Sequence, residues 1–268
     1  MPLVRKYQET NGIFIFDSKL DDSSNYEAHH LETLKQVEST HFWFSARRKK
    51  ICQVFDRYVD RGSSILEIGG GTGYVAEKLI AKGFSVHLSD IHANGLFFAQ
   101  KRGIQKLYQF DLFYPPFEEE FDVVCLFDVL EHLKEEERAL TCLKKMLKPE
   151  GKIIFTVPAH QWLWNRDDRI AGHERRYTKQ HCQEALALAD LKLLHIESFF
   201  SAIIPLLYLR KWIKKDDGSP VEKNEKTSLS IHPLFNHVLG LATKAEFFLQ
   251  HYFPSKIGGS LVAVAQKT

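Results

Sequence analysis

The chain has 268 residues, 44% hydrophobic and 26% charged, values that suit a soluble globular chain able to bury a sizeable core. A formal net charge of +2 excludes any global electrostatic argument for nucleic acid, so a basic site must be local. The four cysteines, Cys52, Cys125, Cys142 and Cys182, form no CxxC pair, which argues against a zinc framework or disulfide scaffold and for reduced thiols in a cytoplasmic protein.

No long apolar region opens the sequence, so no signal peptide is expected. Asn11-Gly12 lies between two strand-like runs and signals a type I′ hairpin. Residues 26–60 read as helical, with an aromatic-basic cluster in "HFWFSARR". From Ser64 the rhythm changes. The strands expected are "SILEIG", "SVHLSD", "KLYQFD", "FDVVCLF" and "GKIIFTVP", and the helices between them are "GYVAEKLIAKG", "ANGLFFAQKRG" and "EEERALTCLKKMLKPEG". Alternating strand and helix implies a doubly wound α/β fold, a mostly parallel sheet covered on both faces. A polar, aromatic loop follows Pro158, then the helix "KQHCQEALALADL" and the strand "KLLHIESFF". The run "FFSAIIPLLYL", 199–209, contains Pro205 and is shorter than the ~20 residues a spanning helix needs. Residues 214–230 are charged and predict a mobile surface loop. A helix over 233–250 and an antiparallel last strand, "GGSLVAVAQK", close the sequence.

The densest feature is "ILEIGGGTGYVAEKL", 65–79. A glycine turn between a strand and a helix lets a ligand approach the backbone beside the partial positive charge of the helix N-terminus. "GTGYVA" also fits the dinucleotide pattern G-x-G-x-x-A. Glu67, two residues before the turn, suits an amine-bearing or cationic ligand and would repel a pyrophosphate. Asp90 ends the second strand, where a carboxylate accepts ribose hydroxyls, and Asp111 ends the third, where it can accept from an exocyclic amine. Three acids at three consecutive strand ends fit a ligand with an amino-acid tail, a ribose and an adenine.

In these motifs residues 64–158 resemble the class I S-adenosylmethionine-dependent methyltransferases. "LEIGGGTG" matches the family's E-x-G-x-G-x-G, "LSD" its acidic second strand, "FDVVCLFDVLEHL" its fourth strand and the E-H-L after it, and "LKPEGKIIFTVP" the approach to its fifth. "HFWFSARR" and "GHERRYT" look like elements flanking the core in a bacterial subgroup related to the ubiquinone-type methyltransferases. The resemblance implies a Rossmann-like methyltransferase fold and S-adenosylmethionine as cofactor. It implies that Gly69, Gly71 and Gly73 line the methionine and sugar, with Glu67 near the sulfonium or amino group. Asp90 would hold the ribose with Ile91 beside the adenine, Asp111 and Leu112 would face the adenine, and Phe127 would lie under the cofactor. Division into an N-terminal hairpin and helical cap over 1–60, a cofactor-binding core over 61–200, a helical insertion over 201–258 and a final core strand over 259–268 follows.

Methyl transfer from a sulfonium needs positioning and, for a protonated nucleophile, a base. The resemblance puts His132 near the cofactor. "GHERRYT" places His173 and Tyr177, candidates to orient the nucleophile, beside Arg175 and Arg176, candidates to clamp an acceptor's anionic group; the alternative is that one arginine pairs with Asp167 or Asp168 and ties the loop down. The string is not H-E-x-x-H, because residue 177 is Tyr, so no metal is expected. His41 and Trp43, with Arg47 and Arg48, are candidates for a substrate-side lid. Residues 199–215 end in Arg210, Lys211, Lys214 and Lys215 and read as core, as an apolar substrate wall or as a surface for anionic lipid. The function expected is methyl transfer to a small organic acceptor, with an anionic amphiphile as a candidate and no nucleic-acid partner. The rivals are an NAD(P)-binding oxidoreductase and a non-catalytic S-adenosylmethionine-binding module.

Overall fold

The computed structural model describes residues 6–16, 28–221, 231–250, 252–253 and 255–268. Strands β1 (Tyr7–Thr10) and β2 (Ile13–Phe16) form an antiparallel hairpin. Asn11 and Gly12 both have positive φ, +53° and +77°, as a type I′ turn requires. The helices α1 (Ala28–Val37) and α2 (Phe42–Tyr58) follow. The alternating section runs β3 (Ser64–Ile68), α3 (Tyr74–Ala81), β4 (Ser85–Asp90), α4 (Ala93–Lys101), β5 (Leu107–Gln109), β6 (Phe121–Phe127), α5 (Glu136–Met146) and β7 (Leu147–Pro158). Short turns lead to α6 (Arg166–Ile170) and α7 (Lys179–Leu188), then to β8 (Leu191–Phe199), α8 (Ile204–Ile213), α9 (Pro233–Leu249) and β9 (Ser260–Lys267).

All nine strands join one sheet in the order β1-β2-β5-β4-β3-β6-β7-β9-β8. The pairs from β2 to β7 are parallel, and β9 is antiparallel to both β7 and β8. The expected doubly wound sheet with an antiparallel last strand is therefore present. The hairpin extends the same sheet beyond β5. One hydrophobic layer on each face fills the space under the helices, with Phe155, Val124 and Leu140 in one and Phe55, Ile65 and Val264 in the other. β6 is apolar on both faces for this reason, with six of its seven residues buried.

The helix expected to run through "LKKMLKPEG" stops at Met146. Pro149 disfavours helical backbone at Lys148, and Leu147 pairs with Phe121 of β6 instead. Of the stretch 214–230 expected to be mobile, residues 222–230 lie outside the described residues. The rest is anchored. Asp216 accepts from Trp164 Nε1 at 2.9 Å and Arg169 Nε at 3.1 Å, and Arg166 donates to the carbonyls of Ser219 and Pro220 at 2.6 and 2.9 Å. Composition showed the charges but not that arginines from α6 would meet them.

The strand order reverses between β3 and β6. Crevices of open α/β sheets form outside the carboxyl ends of strands at such a switch point, and every element after β3, β4, β5 and β6 begins there.

Candidate active site

The turn after β3 is drawn tight by its own backbone. Gly70 N donates to Ser89 O at 3.1 Å and Gly73 N to Gly70 O at 2.9 Å. Gly71 has φ +51°, and its amide donates to Asp90 Oδ2 at 2.8 Å. The other Asp90 oxygen accepts from His92 N at 2.8 Å. The acid at the end of β4 thus braces the glycine turn and its own following loop. Burial pushes the Asp90 carboxyl above its ordinary value, against the amides of His92 and Gly71 that favour the charge.

A single cavity of about 1620 Å³ opens along these strand ends. It is lined by Glu67, Gly69, Gly71, Asp90, Ile91, Asp111, Leu112 and Phe127, all anticipated for the cofactor. Gly73 is not on that wall. A Cβ there would come within 2.5 Å of Ile104 and 2.9 Å of Ala99, so this glycine lets α3 pack on α4. Glu67 is buried with one carboxylate oxygen lacking a partner. Burial is the main reason its carboxyl rises to about 8; Arg47 pulls it down and Asp90 pushes it further up. Asp111 Oδ1 accepts from Phe113 N at 2.8 Å, bracing the loop after β5.

The turn after β6 supplies a second acidic group. Asp128 has φ +55°; it pairs with Arg47 of α2 and accepts from Thr156 Oγ1 at 2.8 Å. Two residues on, a 3-10 turn spans Leu130–His132. Glu131 is 1% exposed, and neither of its carboxylate oxygens has a hydrogen-bond partner among the described residues. Burial, reinforced by Asp128, raises its carboxyl well above the ordinary value. The same burial, with His173 close by, lowers His132 to about 3.

"GHERRYT" is brought to this turn by backbone pairing, Glu174 N donating to Glu131 O at 2.7 Å. His132 and His173 meet edge to face with ring centroids 4.8 Å apart, and both line the cavity. His173 Nδ1 lies 2.8 Å from Asp168 Oδ1. Arg176 grips the same carboxylate through Nε and Nη2, each at 2.9 Å. Burial would raise the Asp168 carboxyl, but His173 and Arg176 together hold it below the ordinary value. The clamp expectation is corrected at Arg176, whose fork is already filled by Asp168. It is corrected at Arg175 as well, which stands off the cavity wall and donates to the carbonyls of Leu133 at 2.6 Å and Lys134 at 3.1 Å. Tyr177 is fully buried away from the cavity; its hydroxyl donates to Glu136 Oε2 at 2.9 Å, so it cannot orient an acceptor.

His41 and Trp43 line the cavity at the start of α2. His41 Nδ1 caps that helix by accepting from Trp43 N at 3.2 Å, and the Trp43 ring stacks on Phe200 with centroids 4.0 Å apart. Across from them, Leu206, Leu209 and Ile213 of α8 and Phe235 and Leu239 of α9 form an apolar wall. Asp167 joins this side, held by Arg210 Nε at 3.0 Å.

Sequence reasoning missed Glu131, Asp128 and Arg47 as a group. Glu131 stood in the quoted E-H-L, but only its histidine was weighed. The α9 wall had no signal at all, because nothing in a helical pattern says which cavity it will face.

A family model described as "Methyltransferase domain" matches residues 43–196, more than half of the chain. A ubiquinone biosynthesis O-methyltransferase of Bartonella bacilliformis is 27% identical over 126 residues, covering 43% of this chain and 51% of that protein. The chain spans about half the length of the curated relatives it matches. Among solved structures, one titled a SAM-dependent methyltransferase, possible histamine N-methyltransferase, from Thermotoga maritima aligns with a TM-score of 0.56 at 15% identity, covering 90% of this chain and 96% of that one. The Haemonchus contortus phosphoethanolamine N-methyltransferase 2, in complex with S-adenosyl-L-methionine, aligns with a TM-score of 0.54 at 18% identity, over 82% of this chain and 52% of that one. At these identities the structural likeness shows the fold.

Proposed function

The chain belongs to the class I S-adenosylmethionine-dependent methyltransferase family, and on that premise we propose that it methylates a small amphiphilic acceptor whose apolar part lies against α8 and α9. One observation carries this reading. The glycine turn and the apolar wall of Leu206, Ile213 and Phe235 line the same cavity, so cofactor and acceptor would share one space.

Bound S-adenosylmethionine supplies a methyl group already activated on a sulfonium. The chain's part is to bind, orient and exclude water. Glu67 offers a carboxylate to the cationic end of the cofactor, and its partnerless oxygen is the observation that the group fits. Asp90 keeps acceptor capacity on both oxygens beyond the two amides it already receives, enough for ribose hydroxyls. Asp111 and Leu112 stand where an adenine would lie, and Gly69 and Gly71 leave the approach open. His132 lines the acceptor side of the cavity, and burial keeps it neutral. Lys214 lines the acceptor side and offers a cation to an anionic head group.

The outer face of α8 and α9 supports delivery of such an acceptor from an anionic bilayer. Tyr208 and Trp212 on α8 and Leu234 and Val238 on α9 are exposed and lie off the cavity wall, with Lys211 and Lys215 beside them. Among the described residues no helix is long and apolar enough to cross a membrane, so the contact would lie on the surface.

The test is transfer of a labelled methyl group into extracts separated into lipid and water-soluble fractions. Label in the lipid fraction, lost on Phe235→Asp with S-adenosylhomocysteine affinity unchanged, supports the reading. Label confined to the water-soluble fraction sinks the amphiphile, and cofactor-dependent thermal stabilisation by NAD(P) alone would sink the methyltransferase.

A further inference from the structure

We propose that Glu131, His132 and His173 form a binding site for a divalent transition-metal ion of the zinc, manganese or iron(II) class, on the acceptor side of the cavity.

Three features carry it. The first is geometric. One ligand atom from each of the three side chains lies within 4.8 Å of the other two. Two donors about 2.1 Å from one ion stand up to about 4.2 Å apart, so modest rotation of the side chains closes the set. Two imidazoles and one carboxylate, with further positions open to the cavity, are a donor set suited to zinc or iron(II).

The second feature is an unsatisfied group. Glu131 is 1% exposed, lines the cavity, and has no donor to either oxygen among the described residues. Arg47, a guanidinium that acts on it, is committed to Asp128. Buried carboxylates are paired or bind metals, and a cation would supply what this one lacks.

The third is the support behind the ligands. A metal-binding histidine usually gives its second nitrogen to a carboxylate or carbonyl, which sets the tautomer and aims the ring. His173 spends Nδ1 on Asp168, leaving Nε2 for the cavity, and Arg176 locks that carboxylate from the other side with two hydrogen bonds. His132 has a backbone hydrogen bond to Gly172. The pairing of Glu174 N with Glu131 O holds the two segments in register. This assigns a purpose to the Asp168–Arg176 pair that neither an acceptor clamp nor a simple loop tie explains: it makes His173 a fixed ligand.

The chemical role rests on the methyltransferase reading. An acceptor hydroxyl that ligates the ion loses its proton to solvent more readily. The oxygen's electron pair then forms the O–CH₃ bond, the S–CH₃ bond breaks, and its electrons stay on sulfur to leave a neutral thioether. No oxidant or reductant is needed. The ligand class implied is an oxygen acceptor, a phenol or a vicinal diol, in preference to an amine.

The experiment uses the full chain, stripped with chelator and titrated with Co²⁺ and Zn²⁺. We expect one ion per chain and visible d–d absorption from bound Co²⁺. Glu131→Gln and His173→Ala should each weaken binding at least tenfold, and Asp168→Asn about 10- to 100-fold through its hold on His173. His195→Asn, far from the cavity, should bind as wild type. S-adenosylhomocysteine is titrated in parallel. Normal affinity for it with no stoichiometric ion, or ion binding unchanged in both Glu131→Gln and His173→Ala, overturns the metal site and leaves the methyltransferase reading standing. Loss of S-adenosylhomocysteine binding in the wild type, with the ion still bound, overturns the methyltransferase reading instead.

Discussion

The Gly71 amide donates to Asp90 Oδ2 across 2.8 Å, so the loop after β3 is held by the acid that ends β4. Asp90 therefore braces the turn, and on the proposed reading its remaining acceptor capacity serves the ribose. Asp90→Ala should lower S-adenosylhomocysteine affinity about ten- to a hundredfold, because a hydrogen bond to a charged group contributes about 1.5–3 kcal/mol. It should also lower stability by about 1–3 kcal/mol, since two backbone amides lose their acceptor. Calorimetric titration and a denaturant midpoint check the two effects, and an unchanged midpoint would mean that the turn holds itself.

On the proposed reading, in which Glu67 meets the cationic end of the cofactor, cofactor binding should release a proton. The Glu67 carboxyl, raised to about 8, is mostly protonated at pH 7. A cationic ligand beside it favours the ionised form, so binding should expel about 0.9 of a proton at pH 7, and affinity should rise as pH climbs toward 8. Titration in two buffers of different ionisation heat reads the number directly. Glu67→Gln should bring it close to zero; an equal release from wild type and variant would place the proton elsewhere.

Arg175 and Arg176 should separate on stability. Arg176 is bound to an Asp168 side chain that is 1% exposed, and removing one partner of a buried pair costs about 3–5 kcal/mol. Arg175→Ala loses hydrogen bonds to two carbonyls at a partly exposed edge, about 1–2 kcal/mol. Urea denaturation of the two variants gives the comparison. A larger loss from Arg175→Ala would reverse the assignment of the two side chains.

His87 predicts an acid limit. It is buried in β4, its Nδ1 lies 3.1 Å from Tyr108 Oη and its Nε2 3.0 Å from Lys106 Nζ. Burial, then Lys106, lowers it to about 4. The unfolded chain, with histidine near its ordinary value, takes up the proton first as pH falls below about 6.5, so stability is full above that value and declines toward pH 4. The loss should be on the order of 1–2 kcal/mol by pH 5, and His87→Gln should flatten the curve over this window. Parallel curves for wild type and variant would assign the acid sensitivity to other groups.

Much of the cavity's lining was readable before any fold was known, because the wall at the ends of β3, β4 and β5 is local. The alternation of period-two and helical patterns carried the parallel sheet. The glycine turn and the acids Glu67, Asp90 and Asp111 stand at strand ends, and in a parallel sheet all such ends share one edge. Family membership followed from four motifs in order. The last strand was legible as a strand from its short apolar run, and its antiparallel pairing with β7 and β8 matches the expectation.

What the sequence by itself determined is the doubly wound core and the residues on the strand-end wall of the cavity, since side-chain direction in strands and turns is set by neighbours a few positions away. Only the tertiary structure decided the rest. His173 lies 41 positions beyond His132, and it is the backbone pairing of Glu174 with Glu131 that joins them. Whether Arg176 faced an acceptor or Asp168, whether Tyr177 faced the cavity or Glu136, and which helix faces closed the acceptor side all depended on contacts between distant segments. Such contacts leave no periodicity in a single chain, because each partner satisfies its own local pattern whether or not the other is there.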